Sequence, residues 1–242
     1  MRNQPEKVAE RVAEILKSVL TGTNYGTALA YSGGLDSSVL MAASGMSLRP
    51  YAVGLEGSRD IRNAKDASEL LGFPLNEITI GKDEVVRYSE TLVEIDPEIT
   101  RLELGYEIVL AAVLDNAEER SVVTGQGADE LFYGYRRFLD NQDLGNASHL
   151  EKLHDKTLPR ELRLAEHFGK ELITPFLNEE IMELAGSLGR DDHIRGGLNK
   201  VVLRKAASIL GLPDVIVNRP KKAAQYGSGV AKVLLGLQNM HD

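Results

Sequence analysis

Seven consecutive residues, Ser32-Gly33-Gly34-Leu35-Asp36-Ser37-Ser38, combine two glycines, three hydroxyls and one carboxylate. A Gly-Gly turn lets successive backbone N–H groups point at a single anion. A helix starting directly behind it adds partial positive charge. Ser32, Ser37 and Ser38 offer hydroxyl donors to phosphate oxygens. Asp36 would repel a bare phosphate, so its presence points to a bridging divalent cation. The lysine of the Walker-type phosphate loop is absent. The plainer alternative, a turn capped by Asp36 or Ser37, explains one of these residues at a time. It does not explain their coincidence.

A second stretch, Thr124-Gly125-Gln126-Gly127-Ala128-Asp129-Glu130-Leu131-Phe132, repeats the pattern of glycines followed by carboxylates. Asp129 is the candidate second metal-binding carboxylate. Taken alone, the stretch reads equally well as a glycine turn with Asp129 and Glu130 in a first helical turn. A third feature runs from Arg195 to Lys222. It holds seven basic residues (Arg195, Lys200, Arg204, Lys205, Arg219, Lys221, Lys222) against Asp214 alone. Such a patch suits a triphosphate or a released pyrophosphate. For Lys205 and Lys222 a solvated helix face is the better reading. The five histidines show no metal-binding spacing, and no nucleophile elbow or dinucleotide fingerprint is present.

The elements needed to position these loops are legible. Val8, Val12, Ile15, Leu16, Val19 and Leu20 recur at helical spacing. Thr27 to Tyr31 reads as a buried strand running into the first glycine loop, and Val39 to Ala43 as the helix after it. Strands follow at Tyr51–Leu55, Leu75–Ile80 and Ser121–Thr124, with helices between them. This alternation predicts an α/β fold, a parallel twisted sheet with helices on both faces. The second glycine stretch then also follows a strand, where ligands of open α/β sheets bind. After about Asn146 only helices are predicted: 147–167, 179–188, 200–210 and 229–239. The expectation is one unit over residues 1–242, with an α/β core to about 145 and a helical remainder.

Composition narrows the classes. The chain has 242 residues, 43% of them apolar and 26% charged, which is ordinary for a globular protein. Its net charge of −8 disfavours nucleic acid as a partner. It has no cysteine, which excludes disulfides, thiolate metal sites and thiol nucleophiles. No run is apolar enough to span a membrane, and the N-terminus carries no apolar signal core. The reading is a soluble cytoplasmic protein, with a homo-oligomer open.

Ser32 to Ser38 resembles the PP-loop of the N-type ATP pyrophosphatases, the adenine nucleotide alpha hydrolase-like superfamily. Further stretches select the asparagine synthetase branch. They are Ala52–Asp60, Gly125–Tyr135, Ile173-Thr174-Pro175-Phe176-Leu177-Asn178, Lys200–Lys205 and Arg219-Pro220-Lys221. The resemblance covers nearly the whole chain. It implies an ATP-dependent, amide-forming ligase of amino-acid biosynthesis that adenylates aspartate or an analogue, releases pyrophosphate and then uses ammonia. ATP and Mg²⁺ are the implied cofactors. By matching position, Asp36 and Asp129 would hold Mg²⁺. Ser32, Gly33, Gly34, Ser37 and Ser38 would cradle the pyrophosphate portion. Ala30, Val53, Thr124 and Gly125 would contact ATP, largely through backbone. Lys221 and Lys200 would meet charge on the phosphates.

Three departures follow. Gln126 stands where the family usually has a glutamate, and a neutral amide is no base. Glu130 or another carboxylate is then a candidate substitute. The arginine expected to hold the substrate's α-carboxylate falls near Arg101. The glutaminase domain, which needs a cysteine nucleophile, is absent, so nitrogen would come from free ammonia, a separate glutaminase subunit or another source. Two other readings compete: a non-catalytic ATP-binding subunit acting with a partner, and a tRNA-modifying PP-loop enzyme.

Overall fold

In the computed structural model, residues 4–21, 26–219 and 227–238 are described. Five parallel strands form one sheet in the order β3-β2-β1-β4-β5. They are β1 (Thr27–Ala30), β2 (Arg49–Gly54), β3 (Asn76–Thr79), β4 (Ser121–Val123) and β5 (Glu171–Ile173). Parallel strands need crossovers, and helices supply them. α1 (Pro5–Thr21) precedes β1; α2 (Leu35–Ala43) and α3 (Arg59–Leu71) link the first three strands; α4 (Lys82–Ile95) and α5 (Arg101–Asn116) carry the chain to β4.

Alternate residues of each strand feed opposite faces, as the pleat requires. Leu29, Ala52 and Val123 join one apolar cluster with α1, α2 and α3. Ala28, Tyr51, Val53 and Val122 join another with α4 and α5. Helices therefore cover both faces. α3 shows how the sequence sets an element's ends: Ser58 accepts from the Ile61 N–H at its start, and Gly72 closes it with φ 75°.

The expectation of helices alone after Asn146 is corrected by β5, which pairs with β4 from Ser121↔Glu171 to Val123↔Ile173. Three residues at a sheet edge, one of them an exposed glutamate, leave too short an apolar pattern to read. The α/β core therefore extends to Ile173, beyond residue 145. The single helix expected over 147–167 is also divided. After α6 (Ala128–Leu131) and α7 (Arg136–Asp140), that stretch runs as α8 (Ala147–Lys152), a π-turn at Leu153–Thr157 and α9 (Leu158–His167). Pro159 has no N–H to give the turn before it, which accounts for the wider turn there.

The rest is helical: α10 (Glu179–Gly186), α11 (Arg190–His193), α12 (Val201–Ile209), α13 (Asp214–Val217) and α14 (Val230–Gln238). α10, α12 and α13 bury residues in the α1 face of the core, and α14 buries Val230 and Leu234 in the other. No helix among the described residues is long and apolar enough to cross a membrane.

Candidate functional site

The strand order places β1 centrally, with the chain leaving it to one side through β2 and returning on the other as β4. That reversal opens a crevice at the carboxyl ends of β1 and β4. The loop after β1 is Ser32–Gly34, and the loop after β4 is Thr124–Gly127. They abut: a Cβ built on Gly125 would sit 3.3 Å from Asp36 Cβ. Two motifs about ninety residues apart thus form one surface.

Within the first loop, Gly33 has φ 68°, and any Cβ there would collide with the Asn63 and Ala64 backbone of α3. Only glycine fits. Gly34 is the N-cap of α2, with no side-chain cap, so Asp36 and Ser37 are not spent on capping. The Ser37 hydroxyl accepts from the Ser32 N–H at 3.3 Å, and Ser32 Oγ accepts from the Gly34 N–H at 3.3 Å. Ser38 behaves differently. It is 0% exposed, and its Oγ pairs with the Tyr31 hydroxyl at 3.1 Å, so it braces the loop from behind. Arg219 donates to the carbonyls of Gly33 at 2.7 Å and Asn63 at 2.9 Å, fastening the loop to α3.

Asp36 in the first turn of α2 and Asp129 in α6 converge on one cation. Lys200 Nζ lies 2.5 Å from Asp36 Oδ1 and 2.7 Å from Asp129 Oδ1. Lys200 is 2% exposed and takes a left-handed conformation, φ 55°. Non-glycine residues enter that region at a cost and persist there when surroundings dictate it. Asn199 supplies the constraint: its Nδ2 donates to the Gly134 carbonyl at 2.6 Å, and its own carbonyl accepts from Arg204 Nε at 2.8 Å. Gly134 provides the space, because a Cβ there would overlap both Asp129 Oδ1 and Lys200 Cε. Gly134→Ala is expected to lower stability by about 1–3 kcal/mol through overpacking. An unchanged thermal unfolding midpoint would mean that the ion pair simply moves aside.

The other sequence-predicted residues fall around this centre. Ala30 ends β1 and Val53 lies in β2, both toward the strands' carboxyl ends. Thr124 is buried; its N–H donates to the Ile173 carbonyl at 2.9 Å, while its Oγ1 has no hydrogen-bond partner. Gln126 is half-buried in the second loop, and Gly127 follows with φ 88°, packed on Leu177. Glu130 is buried and accepts from the Tyr135 hydroxyl. Burial, then Glu130 and Asp129, push the Tyr135 phenol well above its ordinary value, so it stays a donor. Arg101 opens α5 beside the Thr100–Glu103 capping box. Since α5 ends just before β4 begins, its first turn lies at the same carboxyl edge.

Among the described residues, the basic stretch disperses. Lys200 and Arg219 reach the first loop, Arg204 is buried against backbone carbonyls, and Lys205 pairs with Glu6 on the surface. Lys221 and Lys222 lie outside the described residues.

Sequence reasoning missed a buried charge cluster that reaches Glu130 through Glu161. Arg160 of α9 is 1% exposed and is the hub of buried carboxylates. It donates to Glu107 Oε1 at 3.0 and 2.8 Å and to Asp96 Oδ2 at 2.9 Å, with Glu103 at 3.6 Å. Glu161 lies beside them, fully buried, with Oε2 unpartnered. Burial raises the Glu161 carboxyl well above its ordinary range, helped by the charges of Glu107 and Glu130. Burial raises the Glu107 carboxyl too, to about 7, against two hydrogen bonds from Arg160; Glu161 lacks those bonds and holds its proton more firmly. Also unforeseen is Ser228, whose carbonyl accepts from the Leu55 N–H at 2.9 Å and ties the segment before α14 to the end of β2.

Comparison with known proteins bears on the family of the chain. The asparagine synthase family model matches residues 7–149 and 146–240. A Methanocaldococcus jannaschii chain, provisionally named glutamine-hydrolyzing asparagine synthetase 1, is 31% identical over 84% of this chain and 46% of its own length. The glutamine-hydrolyzing asparagine synthetase of Asparagus officinalis is 28% identical over 89% of this chain and 41% of its own. The chain thus spans less than half the length of these curated relatives. Among solved structures, NMN synthetase from Francisella tularensis superposes with a TM-score of 0.46 at 14% identity, covering 98% of this chain and 87% of that one. The chain belongs to the asparagine synthase family.

Proposed function

We propose that this chain is an ATP-dependent carbon–nitrogen ligase that adenylates a small carboxylate, aspartate or an analogue, and passes the acyl group to ammonia. The observation that carries this reading is the convergence of Asp36 and Asp129 on one cation at the crevice between β1 and β4. Two carboxylates that share one ammonium have the spacing to share one Mg²⁺. That ion commonly takes one or two protein carboxylates and completes its shell with phosphates and water. When bound, Mg²⁺ would neutralise phosphate charge.

The chain's own residues supply the rest. The Gly33–Gly34 turn, the Ser32 and Ser37 hydroxyls and the start of α2 present donors to a pyrophosphate group. Lys200 is a described cation at the carboxylates, Arg219 stands at the Gly33 carbonyl, and Lys221 would add another. Charge on the phosphates is met by preorganised groups, with no covalent enzyme intermediate. Ammonia attacks the acyl carbon, the bond to AMP breaks, and the surplus proton leaves to a base.

The test is ATP–pyrophosphate exchange with a panel of carboxylates, with and without ammonium. Mg²⁺-dependent exchange with at least one carboxylate is expected; ATP binding without exchange for any of them overturns the reading. Gln126→Glu addresses the missing base. A positioned general base contributes roughly 10²–10⁴-fold. We expect Gln126→Glu to raise amide formation from aspartate at least about tenfold. No gain would assign the proton to another carboxylate, with Glu130 the buried candidate nearest in sequence.

A further inference from the structure

We infer that Lys200 is a resident counter-cation which closes the Asp36–Asp129 pair to a free divalent ion, so that the pair takes up metal only together with a polyphosphate. The inference rests on the nucleotide site proposed above and adds an order of binding to it. The geometry is specific. One ammonium stands 2.5 Å from the first carboxylate and 2.7 Å from the second, so it fills the position a shared metal would need. The lysine is held there by its surroundings. Its backbone is left-handed, Asn199 ties the preceding residue to Gly134, and Gly134 lacks the Cβ that would displace the lysine stem.

The electrostatics follow. Two carboxylates and the ammonium between them sit in a mostly buried setting, with the Arg204 guanidinium also acting on Asp36. A dication entering alone would have to evict the ammonium from both carboxylates, and Lys200 is only 2% exposed. Both cations crowded into one poorly solvated site would repel strongly. A polyphosphate bound at Ser32–Ser37 removes the obstacle, because it gives the ammonium a new anionic partner and gives the metal its remaining ligands. Lys200 is therefore a positioning residue for the carboxylates before nucleotide arrives, and a phosphate partner afterwards.

The test uses Mn²⁺ as the probe, followed by electron paramagnetic resonance in the absence of nucleotide. Wild-type protein is expected to bind Mn²⁺ at least about tenfold more weakly than Lys200→Met, in which the repelling charge is gone. Adding Asp36→Asn to Lys200→Met should abolish the gain. Equal Mn²⁺ affinity in wild type and Lys200→Met overturns the inference, and so does a gain that survives Asp36→Asn. Lys200→Met leaves two carboxylates face to face, so a second measurement needs only the wild type. MgCl2 alone should leave its thermal unfolding midpoint where NaCl of equal ionic strength leaves it, and MgCl2 with tripolyphosphate should raise it. An equal rise with MgCl2 alone overturns the inference. The proposed ligase activity is judged separately by exchange: strong Mn²⁺ binding by an exchange-competent wild type would sink this inference and leave that activity standing.

Discussion

Asp36→Asn and Asp129→Asn should each remove ATP–pyrophosphate exchange to the level of about 10²–10³-fold below wild type, the usual cost of deleting one preorganised charge-stabilising group. Each substitution keeps shape and hydrogen-bonding capacity but withdraws a full negative charge from the shared cation. The fold should survive, because Lys200 keeps the other carboxylate at 2.5 or 2.7 Å. Removing the sole partner of a buried ion costs roughly 3–5 kcal/mol, and here a partner remains. The decisive pattern is therefore lost exchange with a thermal midpoint close to wild type. Near-normal exchange in either variant would remove that carboxylate from the site. A collapse of the midpoint in both would make the pair a structural clamp.

The two loops were legible because each condenses its chemistry into a few consecutive residues after a buried strand. Ser32 to Ser38 shows glycines, hydroxyls and a carboxylate together, and Gly125 to Asp129 shows a similar set. Their meeting was legible only through topology: an alternating strand–helix order predicts a parallel sheet, and a parallel sheet gathers its carboxyl ends on one edge. Lys200 was harder. It lies 164 residues from Asp36, and in the sequence it is one cation of seven in a basic run. The family resemblance sets it apart for the phosphates and leaves Lys205 to the solvated face, where it pairs with Glu6, but nothing in the sequence announces its contact with Asp36 and Asp129. Gly134 carries no side chain to announce what it must admit. The Arg160 hub was invisible for a similar reason. Glu103 and Glu107 look like the solvated charges of an ordinary helix face until α9, more than fifty residues later, lays a buried arginine over them. β5 escaped because a three-residue edge strand has no period to measure.

That hub carries the largest expected effect on stability. In Arg160→Met the cation serving Glu107, Asp96 and Glu103 is gone, while the carboxylates stay buried, with Glu161 beside them. Breaking a buried pair by removing one partner costs roughly 3–5 kcal/mol. For a chain of this size that is a fall of about 6–20 °C in midpoint. The loss should depend on pH with a definite sign. Glu161 titrates well above its ordinary 4.5 in the folded protein, so the native state binds more protons than the unfolded one above that value. Stability from this group is present at low pH and declines as pH rises toward the folded value. Without Arg160, Glu107 must rise further, since burial already lifts it to about 7 with the arginine in place. Arg160→Met should therefore be less destabilised at pH 5.5 than at pH 8, where ionising the second buried carboxyl adds to the loss. Glu161→Gln should act oppositely, removing one buried acid and raising the midpoint at pH 8 more than at pH 5.5. Thermal melts of the three proteins at both pH values decide the matter. A pH-independent loss in Arg160→Met, or a Glu161→Gln variant no more stable than wild type at pH 8, would mean that water reaches these carboxylates and that Arg160 serves packing rather than charge.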